Sequence, residues 1–241
     1  MNDTMLVRAE DVTKTFETGK LEVRALRGIT LDIAAGEFLA LVGPSGSGKT
    51  TLLNLIGALD RPTSGKLTVL GRDLAGMGKS ERAQLRLTSL GFVFQAYNLV
   101  PVLTARENVE FVLELQGMAS RERRDRSGAV LDELGLGELR NRRPREMSGG
   151  QQQRVAVARA VAARPKLVLA DEPTANLDTE NAQMLMGMMR RLRDDQGMTF
   201  LFSTHDHRVV DHATRVVTLR DGTVASDERP GVAAYRGAPP L

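Results

Sequence analysis

Apolar residues recur along this chain in two rhythms. Short, dense apolar runs stand at Phe38–Val42, Gly91–Phe94, Leu167–Ala170, Thr199–Ser203 and Arg215–Leu219. Runs of that length predict strands buried on both faces. Further β-rich stretches at Leu6–Phe16, Val23–Ile33 and Leu67–Leu70 are broken by turn signals such as Thr18-Gly19 and Ala35-Gly36, and predict additional strands. Helical spacing fills much of the remainder. Thr51–Leu59 sets Leu52, Leu55, Ile56 and Leu59 on one side of a helix. From Gln95 to Arg164 the pattern is almost wholly helical. There Thr104 and Glu107 form a capping box that opens a helix through Ala105, Val109, Val112 and Leu113. Strands alternating with helices predict a mainly parallel sheet covered by helices, an α/β core. A helical lobe of about 70 residues interrupts it. Asp221-Gly222 reads as a two-residue hairpin turn followed by one last strand. The closing RPGVAAYRGAPPL has the composition of a disordered tail.

The run MLMGMM from Met184 belongs to the same packing logic. Met184, Leu185, Met188, Met189 and Leu192 share one helix face, the spacing of core packing rather than of a ligand site.

Chemistry enters at Gly43. Gly43–Thr50 matches G-x-x-x-x-G-K-[ST], between a predicted buried strand and a predicted helix, the context that this motif requires. Gly43, Gly46 and Gly48 let the backbone wrap phosphate oxygens with its N–H groups pointing inward, and the following helix adds its positive end. Lys49 is suited to the β- and γ-phosphates and the Thr50 hydroxyl to Mg²⁺. Two further strand ends carry polar residues. LVLADEP sets Asp171 and Glu172 after a buried run. Asp171 is suited to holding Mg²⁺ through water, and Glu172 to orienting and polarising the attacking water. Gln95 follows the run Gly91–Phe94 and is placed to touch the metal or the water. His205 ends FLFSTH, placed for the γ-phosphate edge. Ser148 in MSGGQ is an N-cap candidate, with Gly149 and Gly150 leaving N–H groups uncovered and Val155, Ala158 and Ala162 at core spacing behind it. That makes a second anion site in the same chain.

Composition removes several alternatives. The 241 residues are 41% hydrophobic and 26% charged, an ordinary globular balance. No cysteine is present, so disulfides and thiolate metal sites are excluded. MNDTMLVRAED has no apolar core of a secretory signal, and no apolar run approaches the ~20 residues that cross a bilayer. Any membrane role is therefore expected from the cytoplasmic face, through a partner. The net charge is +3, with arginines clustered as RERRDR from Arg121 and RNRRPR from Arg140. These read as solvated helical faces, with anionic headgroups or an acidic partner loop as the alternative. No aromatic residues interleave with them, so nucleic acid is not an expected partner.

Taken together and in this order, GPSGSGKTT, Gln95, MSGGQQQR, DEPTANLD (Asp171–Asp178) and the histidine of STHD resemble the ATP-binding-cassette ATPases, over about Leu6 to Ser226. The resemblance implies a P-loop NTPase fold: a RecA-like core with an antiparallel β-subdomain and an inserted α-helical subdomain. As a single domain over 1–241, the core would take about 1–95 and 165–226, the helical part about 96–164, and a tail 227–241. It further implies that ATP, with Mg²⁺ held at Thr50, Gln95 and Asp171, is bound by Gly43, Pro44, Ser45, Gly46, Ser47, Gly48, Lys49, Thr50 and Thr51. Catalysis would fall to Glu172, His205 and Gln95. Two nucleotides would be sandwiched in a head-to-tail homodimer, the phosphate loop of one chain facing Ser148, Gly149, Gly150 and Gln151 of the other. Asn176, Leu177 and Asp178 would communicate between the sites. Phe16 falls where the family stacks an aromatic on adenine, more often Tyr.

A narrower resemblance runs through ALRGITLDIAAGEFLALVGPSGSGKTTLLNLIGALDRPTSG and LGFVFQAYNLVPVLTARENVE. Both are similar to the group of lipoprotein-releasing, macrolide-exporting and division-associated ATPases. That group implies a separate membrane permease, the inner face of the inner membrane, and amphipathic cargo. Lipoprotein release is the first expectation and macrolide-type export the second. Tyr97–Thr104 is where the family engages a coupling helix of the permease. Its run Leu99, Val100, Pro101, Val102, Leu103 is expected to line the receiving groove. Chromosome-maintenance relatives would need a long coiled coil between phosphate loop and signature, and soluble translation-associated relatives carry two cassettes. This chain has one GKTT and one SGGQ.

Overall fold

The computed structural model describes residues 4–19 and 21–229. Two sheets organise it. The first is antiparallel: β1 (Met5–Thr18) and β2 (Leu21–Ala34) pair as a long hairpin, β4 (Ser64–Val69) pairs with the far edge of β1, and β5 (Arg72–Asp73) with β4. The second has six strands in the order β10 (Thr223–Glu228), β9 (Arg215–Arg220), β3 (Phe38–Val42), β8 (Thr199–Thr204), β7 (Leu167–Asp171) and β6 (Leu90–Val93). All of its pairings are parallel except β9 with β10, joined by a tight turn in which Asp221 and Gly222 both have positive φ. That is the twist a two-residue hairpin loop requires.

The dense apolar runs are explained by sides. Along β3, β7 and β8 successive residues face opposite cores, as the pleat dictates. Phe38, Ala40, Val168, Ala170, Phe200 and Phe202 join one core under the helical layer. Leu39, Leu41, Leu167, Leu169 and Leu201 join another, shared with α1 (Lys49–Ile56) and the antiparallel sheet. Both faces are buried, so these strands carry almost no polar residues. Phe38 packs obliquely on Phe200 and Phe202 at ring centroids of 5.5 and 4.9 Å, the tilted geometry that aromatic pairs prefer.

The helical layer comprises α3 (Ala105–Leu115), α4 (Ser120–Glu133) and α5 (Gly149–Ala162), with short 3₁₀ turns at Gly137–Leu139 and Pro144–Glu146. α2 (Lys79–Ser89) precedes β6, α6 (Thr179–Gln196) links β7 to β8, and α7 (His207–Val210) follows β8. The Thr104–Glu107 capping box is present: the Thr104 N–H donates to Glu107 Oε2 at 2.8 Å and the Glu107 N–H to Thr104 Oγ1 at 3.3 Å. The Thr104 N–H, with the Thr104 hydroxyl donating to the same oxygen, holds the Glu107 carboxyl below its usual range. The methionine face of α6 packs inward, with Leu185, Met188, Met189 and Leu192 buried and Met184 against them.

Three expectations shift. The stretch expected to be helical from Gln95 onward has no helix before Ala105. Leu59 does not belong to α1, which stops at Ile56, and it is 45% exposed. The last strand also runs to Glu228, two residues into the range expected to be tail. Arg215 is the reason: it donates to both oxygens of Asp227, at 2.8 and 2.6 Å, and reaches Glu37 at 2.9 Å. Its guanidinium beside Asp227 holds that carboxyl below the ordinary range. From residue 230 onward the expected tail lies outside the described residues.

Candidate nucleotide site

The phosphate loop emerges from the C-terminal end of β3 and enters α1 at Gly48, whose φ of 102° only glycine adopts without strain. Gly43, at φ 148°, has a second constraint: a Cβ there would sit 2.2 Å from the Leu219 carbonyl. Pro44, Ser45 and Gly46 are exposed, Ser47 is buried, and Thr50 and Thr51 begin the helix. The β9–β10 turn braces the loop from outside, with the Gly222 N–H donating to the Ser47 carbonyl at 3.1 Å.

Lys49 carries the most telling contact. Its side chain is buried, and its ammonium donates to the carbonyls of Gly43 (2.7 Å) and Pro44 (3.2 Å). No carboxylate among the described residues pairs with it. A buried cation held only by carbonyls calls for an anion. The buried Ser47 Oγ, without a partner, points to the same deficit. The residues present therefore fit a polyphosphate.

A chain of hydrogen bonds begins beside it. The Thr50 hydroxyl donates to Asp171, at 3.2 and 3.0 Å from its two oxygens, across the gap between α1 and the end of β7. The Ser203 hydroxyl donates to Asp171 Oδ1 at 2.6 Å and accepts from the Glu172 N–H at 3.0 Å. Glu172 Oε1 lies 3.0 Å from His205 Nδ1. With the carboxylate ionised, Nδ1 is the protonated ring nitrogen, since a carboxylate only accepts. Glu172 has a φ of 47°, left-handed for a side chain that rarely goes there. Residues held so cluster at functional sites. Thr50 and Asp171 together offer hydroxyl and carboxylate oxygens, the donor set of a hard divalent cation.

Gln95 is exposed two residues past β6, and its carbonyl accepts from Asn176 Nδ2 at 2.9 Å. That bond ties the segment after β6 to the loop after β7. Phe16 lies on β1, 41% exposed, with the Lys14 ammonium 4.9 Å from its ring centroid. The signature turn stands apart. Ser148 caps α5, its Oγ accepting the Gln151 N–H at 3.3 Å while its own N–H donates to Gln151 Oε1 at 2.9 Å. Among the described residues no hydrogen bond joins Ser148, Gly149, Gly150 or Gln151 to the phosphate loop. Their neighbours are the segments after β6 and β7: a Cβ on Gly149 would meet Tyr97 Oη at 2.9 Å, and one on Gly150 would meet Asn181 Oδ1 at 2.8 Å. Asp178 caps α6, accepting Asn181 N at 2.8 Å and its side-chain amide. The backbone N–H of Asn181 is the main cause that holds its carboxyl below the usual range.

The apolar run after Gln95 does not line a groove as expected. Leu99 packs against the helical core, Val100 and Leu103 are half-buried, and only Pro101 and Val102 (72% exposed) face out. Asn108, fully buried, organises the segment. Its Oδ1 accepts Val100 N at 2.8 Å, and its amide donates to the carbonyls of Val100, Leu103 and Thr104 at 3.0–3.2 Å. A groove lies beside this segment, with a volume of about 410 Å³. It is walled by Leu59, Phe92, Phe94 and Phe111, with Arg86 and Arg159 in its lining. Arg86 donates to the Ala58 carbonyl at 2.7 Å, and Arg159 to those of Tyr97 and Asn98 at 3.0 and 2.5 Å. Neither meets a carboxylate among the described residues, and burial pushes both guanidiniums below their ordinary range. Asn108, Arg159 and Ser203 were not read as site residues. Their signals in the sequence are faint: polar residues at apolar positions of a helix or a strand.

Comparison with known proteins identifies the family. Residues 26–175 match the family model of the ABC transporter. An uncharacterized ABC transporter ATP-binding protein of Thermotoga maritima is 46% identical over 222 residues, 92% of this chain and 94% of that one. A lipoprotein-releasing system ATP-binding protein of Anaeromyxobacter dehalogenans is 46% identical over 93% of this chain and 94% of its own. A macrolide export ATP-binding/permease protein of Brucella melitensis is 47% identical over 92% of this chain, which spans 34% of that longer protein. Among solved structures, a dimeric ATP-binding cassette in a post-hydrolysis state with ADP and Pi superposes with a TM-score of 0.86 at 40% identity, covering 92% of this chain and 98% of that chain. The chain thus belongs to the ABC transporter family, as an ATP-binding and ATP-hydrolysing cassette with the P-loop NTPase fold.

Proposed function

We propose that this cassette powers a membrane permease that releases lipoproteins from the inner membrane, acting as a head-to-tail homodimer at its cytoplasmic face. The observation that carries the catalytic part is the buried Lys49 ammonium, held by carbonyls alone beside the Thr50–Asp171–Ser203–Glu172–His205 chain. On ATP binding, Lys49 exchanges its carbonyls for the β- and γ-phosphates, while the N–H groups of Gly43–Thr51 cradle them. Phe16 offers its exposed ring to adenine. Thr50, Asp171 and Gln95 would hold Mg²⁺, whose charge offsets that building on the phosphates. Glu172 orients the attacking water and accepts its proton. His205 fixes that carboxylate through Nδ1, leaving its outer edge for the γ-phosphate.

The separation of Ser148 from the phosphate loop in one chain supports a site completed by two. Ser148, Gly149, Gly150 and Gln151 of one copy would meet the γ-phosphate held by the other, with Asp178 beside them. Among the described residues no helix is long and apolar enough to cross a membrane. The permease would instead seat a helix in the groove beside β6, presenting apolar residues to Phe94 and Phe111 and a carboxylate to Arg86 and Arg159.

Lipoprotein release is favoured as cargo, with macrolide-type export as the second reading. Relatives at 46% and 47% identity carry the two names. The deciding test is to copurify the cassette with its membrane partner and identify bound cargo by mass spectrometry. Acylated protein supports the proposal, whereas a complex stimulated by macrolides and devoid of lipoprotein would replace it with the second reading.

A further inference from the structure

Ser203 is buried at the penultimate position of β8, and its hydroxyl both donates and accepts. The ionised carboxylate of Asp171 only accepts, so the single Ser203 proton points to Oδ1, at 2.6 Å. One lone pair of the same oxygen accepts from the Glu172 N–H, at 3.0 Å. Asp171 and Ser203 are register partners on β7 and β8, with side chains on the face that carries α1. One atom thus joins two carboxylate-bearing residues with different tasks. Glu172 needs such a tether, because its left-handed backbone (φ 47°) has few other restraints: its N–H also reaches the Ser203 carbonyl at 3.2 Å, and its own carbonyl accepts from Ala175.

The two hydroxyls on Asp171 are not equivalent. Thr50 is bonded to both carboxylate oxygens and would leave them on taking a cation. Among the described residues, Ser203 donates to no other acceptor. We infer that Ser203 is a positioning residue: it pins Asp171 Oδ1, so that Oδ2 is the oxygen presented to the metal, and holds the Glu172 backbone so that its carboxylate faces the attacking water. This rests on the roles proposed above for Asp171 and Glu172. It adds a residue that touches neither nucleotide nor metal.

The test compares Ser203→Thr, which keeps the hydroxyl, with Ser203→Val, which has nearly the same shape without it. Ser203→Ala serves as a control for crowding, since the site is fully buried. Affinity for a fluorescent, non-hydrolysable ATP analogue is titrated with Mg²⁺ and with EDTA, and kcat and KM are measured beside it. Loss of a hydrogen bond to a charged group costs roughly 10- to 100-fold. Ser203→Ala and Ser203→Val should lose about that factor in kcat and most of the gain in affinity that Mg²⁺ gives, with affinity in EDTA unchanged. Ser203→Thr should retain both. Equal behaviour of the Thr and Val variants, or an unaltered response to Mg²⁺ in Ser203→Ala, would overturn the inference. Asp171→Asn, run in parallel, separates the two levels: if it too keeps the Mg²⁺ response, the assignment of Asp171 fails, and not the role of Ser203 alone.

Discussion

Replacing Asn108 by Ala should destabilise the cassette by an amount that its hydrogen bonds allow one to work out. The side chain makes four bonds, but their loss is not equally felt. The Thr104 carbonyl also accepts the helical Asn108 N–H, and the Val100 carbonyl also accepts Leu103 N. That leaves two groups orphaned, the Val100 N–H and the Leu103 carbonyl. A buried unpaired group costs about 1–3 kcal/mol. Val100 and Leu103 are only half-buried, so water recovers part of it, and the expected loss is about 2–4 kcal/mol. Against the ~5–15 kcal/mol of a typical domain this is large. Urea denaturation would report it as a lower midpoint at constant m, and amide exchange should accelerate at Val100 first. Asn108→Asp adds a test of sign. Its carboxylate would keep the Val100 N–H but face three carbonyl oxygens, so its folded pKa would lie above the unfolded value. The folded state then binds more protons between the two values, and stability lost at neutral pH should be partly regained on acidification. A change below about 0.5 kcal/mol in Asn108→Ala, or exchange at Val100 no faster than in the parent, would refute the reasoning.

Three further outcomes are expected. Glu172→Gln should keep ATP binding and lower hydrolysis by at least ~10²-fold, accumulating an ATP-bound dimer detectable by size-exclusion chromatography. Near-normal turnover would remove Glu172 from catalysis. Ser148→Arg should bind nucleotide as a monomer yet neither dimerise nor turn over with ATP, and mixing it with Lys49→Ala can rebuild at most one of the two sites. Full activity of Ser148→Arg alone would contradict the two-chain site. Phe111→Glu, at a 46% exposed wall of the groove, should spare basal hydrolysis and weaken pull-down by the permease. A charge at Leu99 would test stability instead, because that side chain packs against the helical core.

Much of this molecule is local in origin, and that part was legible in the chain. The phosphate loop needs glycines at φ values that other residues avoid, and a Lys and a Thr at the head of one helix. All of it lies within one short stretch, so sequence alone determined it. The strands of the central sheet announced themselves because burial on both faces excludes polar residues. The N-caps at Thr104 and Ser148 are likewise set by residues three positions away. Contacts made across the fold left only faint marks. Ser203 meets Asp171 because β7 and β8 stand side by side in register, which a serine in an apolar run does not reveal. Asn108 reads as a flaw in a helix face until the chain folds back and brings four loop groups to it. The groove walls come from three separate stretches, 59, 83–98 and 111–112, closed by α5. The apolar run at Leu99–Leu103, local and conspicuous, is not among the residues that line the groove. Hydrophobic pattern dictates which residues leave water. Which of them face each other, and which polar groups are buried with a partner, depends on strand order and helix packing over distances that no local window spans.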